Sequence, residues 1–557
     1  MEFTNLNISP IIFVSGGVIS GIGKGVATAS LAYLLQEYGQ KVSIIKFENY
    51  LNIDSGTINP IEHGDPFLTE DGTESDMDLG TYERFLGKKM TRNNFVTMGQ
   101  MYKAIIDRER NFGYKGETVE PLYALRAEVL ERFRIVQETE SPDIILAELG
   151  GTVGEFQNTI YYETMKLLKF KYDHTILNIH VSYMPYLESV GEIKSKPVQQ
   201  SVQMMDKLSM HPDFLIVRTD RKIDSLRIRK VASSCNISED RVIEGPNVSS
   251  IYKVPINFEK AHFAEKVLDK LNIKYDKKID PCKKIKKLQD DIEKTSASAK
   301  EVTLAIVGKY FSSDNYQLPD SYAALLEALK HASYKLKIKI DFKFINSEDM
   351  EEITGVLDGV SGIIVPIGWG SRGVEGKIRS IQYARENKVP YLGLCYGMQL
   401  ACVEWARNVL DIKDAASEEV NAKSKNLVIH QIPIDEKYVR IKGDGVTMRL
   451  GSYPCVLKSR SLASEIYGKN EIEERHRHRF EFNNKYRDEF EKSGFVFSGT
   501  SPDNFFVEFI ELPKEVHPFF IATQAHPEYK STPWSPHPIF LRFLEESLKQ
   551  DKGKILN

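Results

Sequence analysis

The sequence predicts an α/β protein built from two doubly wound domains. Short apolar runs alternate with helical patterns in both halves of the chain, and two of these runs end in Gly-rich turns that lead into a helix. Strands that are apolar along their whole length, with helices between them, are typical of parallel sheets covered on both faces. The first domain is expected to be P-loop-like, and the second to carry a nucleophile on a tight turn.

The first half opens with a strand, a Gly-rich loop, a helix and a second strand, as doubly wound folds do. The helical pattern runs from about Val26 to Tyr38. The predicted strands of this half are residues 11–15, 42–46, 143–148, 175–181 and 214–218.

A change of composition near residues 277–301 separates the two halves. A lysine-rich run, a charged helical stretch and a Thr-Ser-Ala stretch follow one another there, which predicts an interdomain linker with a solvated helix. Contact of the basic run with an anionic partner is the alternative. The predicted division is therefore 1–280, a linker at 281–301, and 302–557, with strands of the second half at 302–308, 362–366, 390–394 and 519–523.

Composition limits the possible functions. The 557 residues carry 74 Lys and Arg against 78 Asp and Glu, a formal charge of −4, so a protein that wraps nucleic acid is not expected. Hydrophobic residues make up 41%, which excludes global disorder. No apolar run approaches the ~18–20 residues of a membrane helix. Five cysteines without a Cys-x-x-Cys pair argue against a disulfide framework and against structural zinc, so we expect a cytoplasmic enzyme without a signal peptide.

The Gly-rich segment Gly16–Gly25 lies between the first predicted strand and helix. Its backbone N–H groups, the helix N-terminus and Lys24 favour phosphate binding, and a Gly-rich turn without a ligand is the alternative. Gly25 stands where a P-loop has the Ser or Thr that binds Mg²⁺, so other oxygen donors are needed. We expect them in the acidic cluster 71–78 and at Glu148, which ends an apolar strand. The basic turn Lys194–Gln199 is either a surface loop or a site for a second triphosphate.

A nucleophile elbow is predicted at Gly393–Gly397, which has the pattern G-x-C-x-G between a strand and a helix. Cys395 is its nucleophile, and the following helix N-terminus favours the thiolate. His526 and Glu528 follow a late strand on one short turn, where they offer a base and the group that orients it. The loop at residues 368–373 offers backbone N–H groups for an oxyanion.

Together these segments resemble the CTP synthase family over essentially the whole chain, and Asp71–Phe85 and Arg475–Arg479 are the segments that narrow the resemblance to it. The resemblance implies an N-terminal amidoligase domain, a C-terminal class I glutamine amidotransferase domain and a role as a ligase in pyrimidine biosynthesis. It implies that ATP phosphorylates O4 of UTP and that ammonia, supplied free or released from L-glutamine and carried internally, displaces the phosphate. It further implies activation by GTP, inhibition by CTP, and a homotetramer able to form filaments.

The resemblance also assigns roles residue by residue. Cys395, His526 and Glu528 form the triad, Lys46 is a catalytic lysine, and Asp78 and Glu148 hold Mg²⁺ with ATP. The ATP contacts are Gly21, Ile22, Gly23, Lys24, Gly25, Val26, Asp78 and Val248. The UTP and CTP contacts are Ser20, Glu155, Phe156, Gln157, Lys194, Ser195, Lys196, Pro197, Val198, Gln199 and Lys230. The glutamine contacts are Gly368, Tyr396, Gly397, Met398, Gln399, Glu419 and Arg479.

Three positions depart from the family pattern. Glu48-Asn49 stands in place of an Asp-Pro pair, and Pro246 has no N–H to donate in a segment where the family binds ATP. Ile367 stands in place of a glycine before the oxyanion loop; if that position needs a positive φ, the β-branched residue is strained and the oxyanion hole is suboptimal until an effector binds. Two other functions stay open. One is another glutamine-fed, ATP-dependent amide ligase such as the cobyrinic acid diamide synthases, and the other is a weakly active scaffold that forms filaments.

Overall fold

The computed structural model describes residues 8–59, 64–172, 175–309, 312–313, 316–317, 319–348, 355–433, 440–441 and 447–555. The chain divides into two compact units. The first consists of Met1–Thr57 and Thr81–Gln289, and the second of Ile58–Gly80 and Asp290–Asn557. The grouping of Ile58–Gly80 with the C-terminal half is a feature that the sequence analysis did not reveal.

The first unit is built around a seven-stranded sheet in which every neighbouring pair is parallel. The strand order is β7-β6-β5-β1-β4-β2-β3. Its strands are β1 Ile11–Gly16, β2 Val42–Glu48, β3 Phe95–Thr97, β4 Ile144–Leu149, β5 Ile176–Tyr183, β6 Phe214–Thr219 and β7 Val242–Pro246. The five strands predicted for this half are all present, within a residue or two at their ends.

Helices connect these strands. A short hairpin, Tyr186–Leu187 with Glu192–Ile193, precedes α6. The helices are α1 Lys24–Glu37, α2 Met77–Leu86, α3 Met98–Arg110, α4 Pro121–Glu140, α5 Thr159–Tyr172, α6 Lys196–Lys207, α7 Ser225–Ser234, α8 Val254–Lys260, α9 Phe263–Lys270 and α10 Lys283–Ser296. The last of these is the helix predicted in the charged stretch between the halves.

The second unit contains a ten-stranded mixed sheet in the order β9-β8-β10-β11-β17-β16-β15-β13-β12, with β14 paired to β13. The strands from β9 to β17 in this order are parallel, and the remaining pairs are antiparallel. They are β8 Glu301–Gly308, β9 Lys339–Asn346, β10 Gly362–Val365, β11 Tyr391–Leu394, β12 Arg440–Ile441, β13 Thr447–Leu457, β14 Glu471–His478, β15 Val496–Thr500, β16 Val507–Glu511 and β17 Phe520–Thr523.

Several smaller elements complete the second unit. Short strands lie at Phe67–Leu68, Glu74–Ser75, Ser312–Ser313, Tyr316–Gln317, Ala416–Ser417, Leu427–Gln431 and Phe480–Phe482. The helices are α11 Ala323–Leu336, α12 Val374–Glu386, α13 Tyr396–Asn408, α14 Glu418–Asn421, α15 Leu462–Tyr467, α16 Arg487–Lys492 and α17 Pro538–Ile555.

Side-chain alternation explains why the strands are apolar throughout. Leu304 and Ile306 of β8 pack in one core cluster, whereas Ala305 and Val307 pack in another. Because successive side chains of a strand point to opposite faces, the parallel part of this sheet is buried on both. The predicted α/β class with parallel sheets is confirmed. None of the helices in the described parts of the chain is both long and apolar enough to cross a membrane.

Candidate active sites

The Gly-rich loop connects β1 to α1, and α1 begins at Lys24. Val18, Gly21 and Gly23 have φ values of +81°, +71° and +85°, a conformation that glycine adopts most easily. A Cβ on Gly17 would lie only 1.6 Å from the Ser201 hydroxyl, so this glycine is needed for close packing. Lys24 donates to the carbonyl of Gly151. The loop, the helix N-terminus and the ammonium together suit a polyphosphate.

A buried ionic cluster lies at the carboxyl ends of β2 and β4. The Lys46 ammonium is 2.7 Å from Oε1 of Glu148 and 3.3 Å from Oε1 of Glu48. The hydroxyl of Tyr82 donates to the second oxygen of Glu148 over 2.5 Å. Lys46 and Glu148 are 4% and 0% exposed, so these two opposite charges are almost entirely removed from water and held in a fixed geometry.

The other predicted Mg²⁺ ligand, Asp78, lies in the first turn of α2, where its N–H donates to Asp76 over 2.7 Å. The described residues contain no group of three or more His, Cys, Asp or Glu side chains that could hold a metal by themselves. Magnesium fits such a protein, because it is usually held by one or two carboxylates and by the oxygens of a bound nucleotide. Asp78 and Glu148 offer oxygen donors of that kind.

A cavity of about 190 Å³ adjoins the N-terminus of α1. Gly23, Val26, Pro246 and Val248 are among the residues that line it, and Phe258 adds an aromatic wall. Its rim is held by Arg218, which donates to the carbonyls of Ile22, Gly245 and Pro246. The cavity is mostly apolar and begins at the end of the phosphate loop, which suits a nucleobase.

The residues predicted to contact UTP and CTP lie on three segments of the first unit. Lys194 precedes α6, Ser195 is its N-cap, and Lys196–Gln199 form its first turn. Glu155, Phe156 and Gln157 follow β4 and are exposed, as is Ser20 in the Gly-rich loop. Lys230 lies exposed on α7. These assignments stay predictions.

The Glu48-Asn49 departure preserves the acid next to Lys46. The Asn49 amide donates to the Gly150 carbonyl over 3.3 Å and to Glu155 Oε2 over 3.2 Å. It is also 3.3 Å from Asn158 Oδ1. A hydrogen-bonding side chain therefore holds the loop that follows β4, in a role that the ring of a proline could not fill.

A histidine that the sequence analysis did not single out links the end of β1, just before the Gly-rich loop, to α6. Nδ1 of His180 is 3.0 Å from the Ser15 hydroxyl, and Nε2 is 2.5 Å from the Ser201 hydroxyl. Burial, with a contribution from the charge of Lys24, lowers the pKa of His180 to about 3. The imidazole is therefore neutral at physiological pH and bridges the two elements as a fixed donor and acceptor.

Tight packing explains both glycines of the elbow in the second unit. Cys395 has φ +50° and ψ −97°, in the sharp turn between β11 and α13. A Cβ on Gly397 would lie 2.1 Å from the carbonyl oxygen of Val365, and one on Gly393 would lie 2.7 Å from Ala522. Any larger residue at either position would displace a neighbouring strand. The strained turn and its close neighbours are what the elbow pattern predicts.

The three predicted triad residues meet at this turn. Nδ1 of His526 is 2.7 Å from Oε1 of Glu528, and both residues are buried. Burial alone would favour the neutral imidazole, but the charges of Glu528 and Cys395 outweigh it and raise the pKa of His526. His526 also stacks on Tyr529, with the ring centres 5.2 Å apart. The arrangement favours an imidazolium beside the sulfur, as a cysteine nucleophile requires.

The expectation of a strained Ile367 is wrong. Ile367 is not among the residues with positive φ, and its side chain is 4% exposed in the same core cluster as Leu394. The next glycine is crowded instead: a Cβ on Gly368 would lie 3.0 Å from the Lys377 ammonium. The left-handed conformation falls on Gly370, whose φ is +71°. Ile367 is thus a packing residue below the loop.

Opposite charges line the predicted glutamine site. Oε1 of Glu419 accepts the N–H of Gly370 over 2.8 Å, and burial raises the pKa of Glu419, an effect opposed by Lys309 and Arg479. The hydroxyl of Tyr396 donates to the Gly370 carbonyl over 2.8 Å. A carboxylate and a guanidinium near one loop complement the ammonium and carboxylate of an amino acid. Gly397, Met398 and Gln399 lie in the first turn of α13.

The Arg475–Arg479 run is largely structural. Arg475 donates to the Leu68 carbonyl over 2.7 Å, and Arg477 pairs with Glu74 over 2.7 Å. Burial and the nearby Arg449 guanidinium lower the pKa values of the two intervening histidines, His476 and His478. The run therefore anchors the segment 58–80 within the second unit.

Comparison with known proteins decides the family. A family model described as "CTP synthase N-terminus" matches residues 10–273, and one described as "Glutamine amidotransferase class-I" matches residues 317–546. A CTP synthase of Halalkalibacterium halodurans is 42% identical over 97% of this chain and 99% of its own length. The chain belongs to the CTP synthase family. A CTP synthase of Prochlorococcus marinus strain MIT 9312 is 43% identical over 97% of this chain and 98% of its own.

Among solved structures, the chain is similar to the glutaminase domain of Trypanosoma brucei CTPS with bound acivicin. The two are 36% identical, the match covers 44% of this chain and 94% of that one, and the TM-score is 0.41.

Within this family member, sequence reasoning missed several residues that touch the sites. Tyr82 lies in the Asp71–Phe85 segment but was given no role there, His180 belongs to no motif, and Lys377 lies on α12 as an ordinary helix lysine. Gln524 lies two residues before His526, and its amide nitrogen is 3.4 Å from the sulfur of Cys395. A polar residue buried in a predicted strand, as His180 is, is the signal that could have identified one of them.

Proposed function

We propose that this chain converts UTP to CTP in an ATP-dependent amination that uses ammonia released from L-glutamine. The observation that carries the proposal is family membership over 97% of the chain together with both reactive clusters. One unit holds Lys46 and Glu148 near a phosphate loop, and the other holds a Cys-His-Glu triad. The same membership argues against the cobyrinic acid diamide synthase alternative. The presence of the triad residues argues against a weakly active scaffold that forms filaments.

The first unit would activate UTP. Lys24 and the α1 N-terminus would hold the ATP phosphates, and the cavity that reaches Val248 would hold the adenine. Lys46, which is paired with Glu148, would stabilise the charge that develops as the γ-phosphoryl group passes to O4 of UTP. Asp78 and Glu148 would bind Mg²⁺, which supplies charge neutralisation to the phosphates. Lys194, Lys196 and Lys230 would add positive charge for the UTP triphosphate.

The second unit would supply ammonia. The Cys395 thiolate adds to the carboxamide carbon of glutamine, and backbone N–H groups of residues 368 and 369 would stabilise the resulting oxyanion, since the N–H of Gly370 already donates to Glu419. The His526 imidazolium gives its proton to the departing nitrogen as the C–N bond breaks, which leaves a thioester on sulfur and releases ammonia. Water, deprotonated by His526, then hydrolyses the thioester to glutamate. Glu528 orients the imidazole throughout.

Ammonia then displaces phosphate from C4 of the activated UTP, and passage of ammonia inside the protein is part of the proposal. Activation by GTP, inhibition by CTP, a homotetramer that can form filaments, and a location in the cytoplasm are proposed on the resemblance to the family. The Glu155–Gln157 loop, in which Glu155 accepts from the Asn49 amide, is among the proposed UTP and CTP contacts.

The decisive experiment measures CTP formation from UTP and ATP with either glutamine or ammonium salt as the nitrogen source. We expect product with both, and glutamate only with the first. Absence of UTP-dependent ATP consumption with either donor would contradict the proposal and favour a different amide ligase.

A further inference from the structure

The side-chain amide of Gln524 touches the reactive sulfur. Nε2 of Gln524 is 3.4 Å from Sγ of Cys395, within hydrogen-bond range for sulfur. Gln524 is 1% exposed and follows β17, the strand next to the one that ends at the elbow. Its backbone is also fixed, since its N–H donates to the Glu508 carbonyl over 2.9 Å. Burial of the side chain and this backbone hydrogen bond therefore hold the amide next to the sulfur.

A second amide determines which end of Gln524 faces the sulfur. Nε2 of Gln399 donates to the Phe480 carbonyl over 3.0 Å and to Oε1 of Gln524 over 3.2 Å. Because a backbone carbonyl can only accept a hydrogen bond, the Gln399 side-chain atom that faces the Phe480 carbonyl must be the amide nitrogen. The same nitrogen donates to the side-chain oxygen of Gln524, so the Gln524 amide nitrogen is the atom that faces Cys395. The hydrogen bonds from Gln399 to Phe480 and to Gln524 therefore fix the orientation of the Gln524 amide.

The geometry points to Gln524 as a further catalytic residue of the glutaminase site: its N–H stabilises the charged sulfur of Cys395. Gln399 is then the residue that positions this amide, in addition to its predicted glutamine contact. The inference rests on the proposed function only for the identity of the reaction. A donor at the sulfur favours the thiolate over the thiol, because a hydrogen bond to a charged acceptor is worth more than one to a neutral acceptor.

Alkylation of Cys395 by iodoacetamide tests this without any nucleotide or glutamine. The rate is measured between about pH 6 and about pH 10, since the thiolate is the reactive form, and the Cys395 peptide is quantified by mass spectrometry. The other four cysteines are buried, and burial raises the pKa of Cys235 to about 11 and of Cys282 to about 12. A Cys395→Ala variant gives the background.

We expect Gln524→Leu to be alkylated about tenfold more slowly than wild type near neutral pH and at the same rate at high pH, where the thiol ionises without help. Gln524→Glu has the same shape and still offers Gln399 an acceptor, but its carboxylate repels the thiolate. We expect it to be slower still near neutral pH. Gln382→Leu is the matched control, because Gln382 bonds Glu386 on the outer part of α12. It should behave as wild type.

Wild-type pH profiles in both Gln524 variants would overturn the inference, and so would a rate lowered by the same factor at every pH, which a merely structural role would produce. If Gln524→Leu fails to fold by circular dichroism, Gln524→Glu decides. Ammonia-dependent CTP synthesis by the wild-type protein tests the proposed function separately. Its absence would reject that function and leave the alkylation result standing.

Discussion

Lys46 and Glu148 lie opposite each other on neighbouring parallel strands, with Nζ and Oε1 2.7 Å apart. Both side chains are buried, so protein groups replace water around each charge, and the other member of the pair is one of these groups. The sheet sets this pair, because the register of β2 and β4 brings the two Cα positions together. The carboxyl end of parallel strands is where open α/β sheets bind their ligands. The pair therefore lies where the proposed phosphoryl transfer would place its phosphate groups.

The first prediction concerns Glu148. Glu148→Gln removes the main counter-charge of Lys46 and one of the two proposed magnesium ligands, and we expect CTP synthesis to fall at least about 10²-fold with either nitrogen donor. Glutamine hydrolysis in the absence of nucleotides should be unchanged. Initial rates of CTP and glutamate formation check both. Glu128→Gln is the control, since Glu128 is a buried carboxylate that pairs with the half-buried Arg108 elsewhere in the same unit. Near-normal ammonia-dependent synthesis in Glu148→Gln would show that the metal is bound by other groups.

The second prediction separates the two reactions. Cys395→Ala removes the nucleophile, so glutamine-dependent CTP formation should be lost, whereas formation from ammonia should stay close to the wild-type rate. Cys402→Ala, on the same helix and fully buried, should retain both activities. Equal loss of the two activities in Cys395→Ala would contradict the division of labour between the units.

The strands and the elbow could be predicted because their signals are local. A parallel strand covered on both faces is apolar over its whole length, and the G-x-C-x-G pattern reflects glycines pressed against Val365 and Ala522. The positions of Cys395 and His526 followed from these elements. Cys395 follows β11 and His526 follows β17, so the parallel pairing of these two strands is enough to bring the residues together.

Long-range contacts could not be predicted. The segment 58–80 joins the second unit through the bonds of Arg475 to Leu68 and of Arg477 to Glu74, which are some four hundred residues apart in sequence. No local pattern marks such partners. The same holds for Gln524, whose role depends on an amide contributed by α13. The strain expected at Ile367 was wrong because the backbone of the loop turns at Gly370 instead.

The third prediction concerns acid stability and His180. The pKa of His180 is lowered to about 3 in the folded protein. As the pH falls, the unfolded chain therefore binds a proton at this histidine near pH 6.5, whereas the folded chain binds it only near pH 3. The stability that His180 contributes is thus fully present above about pH 6.5 and is lost as the pH falls towards 3. The loss amounts to at most about 1.4 kcal/mol per pH unit.

His180→Gln should therefore lose less stability than wild type between about pH 6.5 and about pH 4.5, because glutamine has no proton to gain in this range. Thermal unfolding of both proteins across this range measures the difference. His211→Gln, which changes a partly exposed histidine, is the control and should follow wild type. Parallel pH curves for His180→Gln and wild type would show that His180 is not held neutral by the fold.

The last prediction concerns Ile367. Its side chain is buried with Leu394 beneath the oxyanion loop, and its backbone needs no left-handed conformation. Truncation to Ala should cost about 2–5 kcal/mol of unfolding free energy, as for other buried Ile residues. Ile367→Gly should cost more, since glycine also adds freedom to the unfolded chain. Because Ile367 does not hold the loop in strain, neither variant should hydrolyse glutamine faster than wild type when GTP is absent. Ile367→Val should lose only about 0.5–1.5 kcal/mol of unfolding free energy and keep the wild-type activity. Thermal unfolding and glutamate release check the two expectations. Faster glutamine hydrolysis by Ile367→Gly in the absence of GTP would contradict them and show that Ile367 does restrain the backbone of the loop.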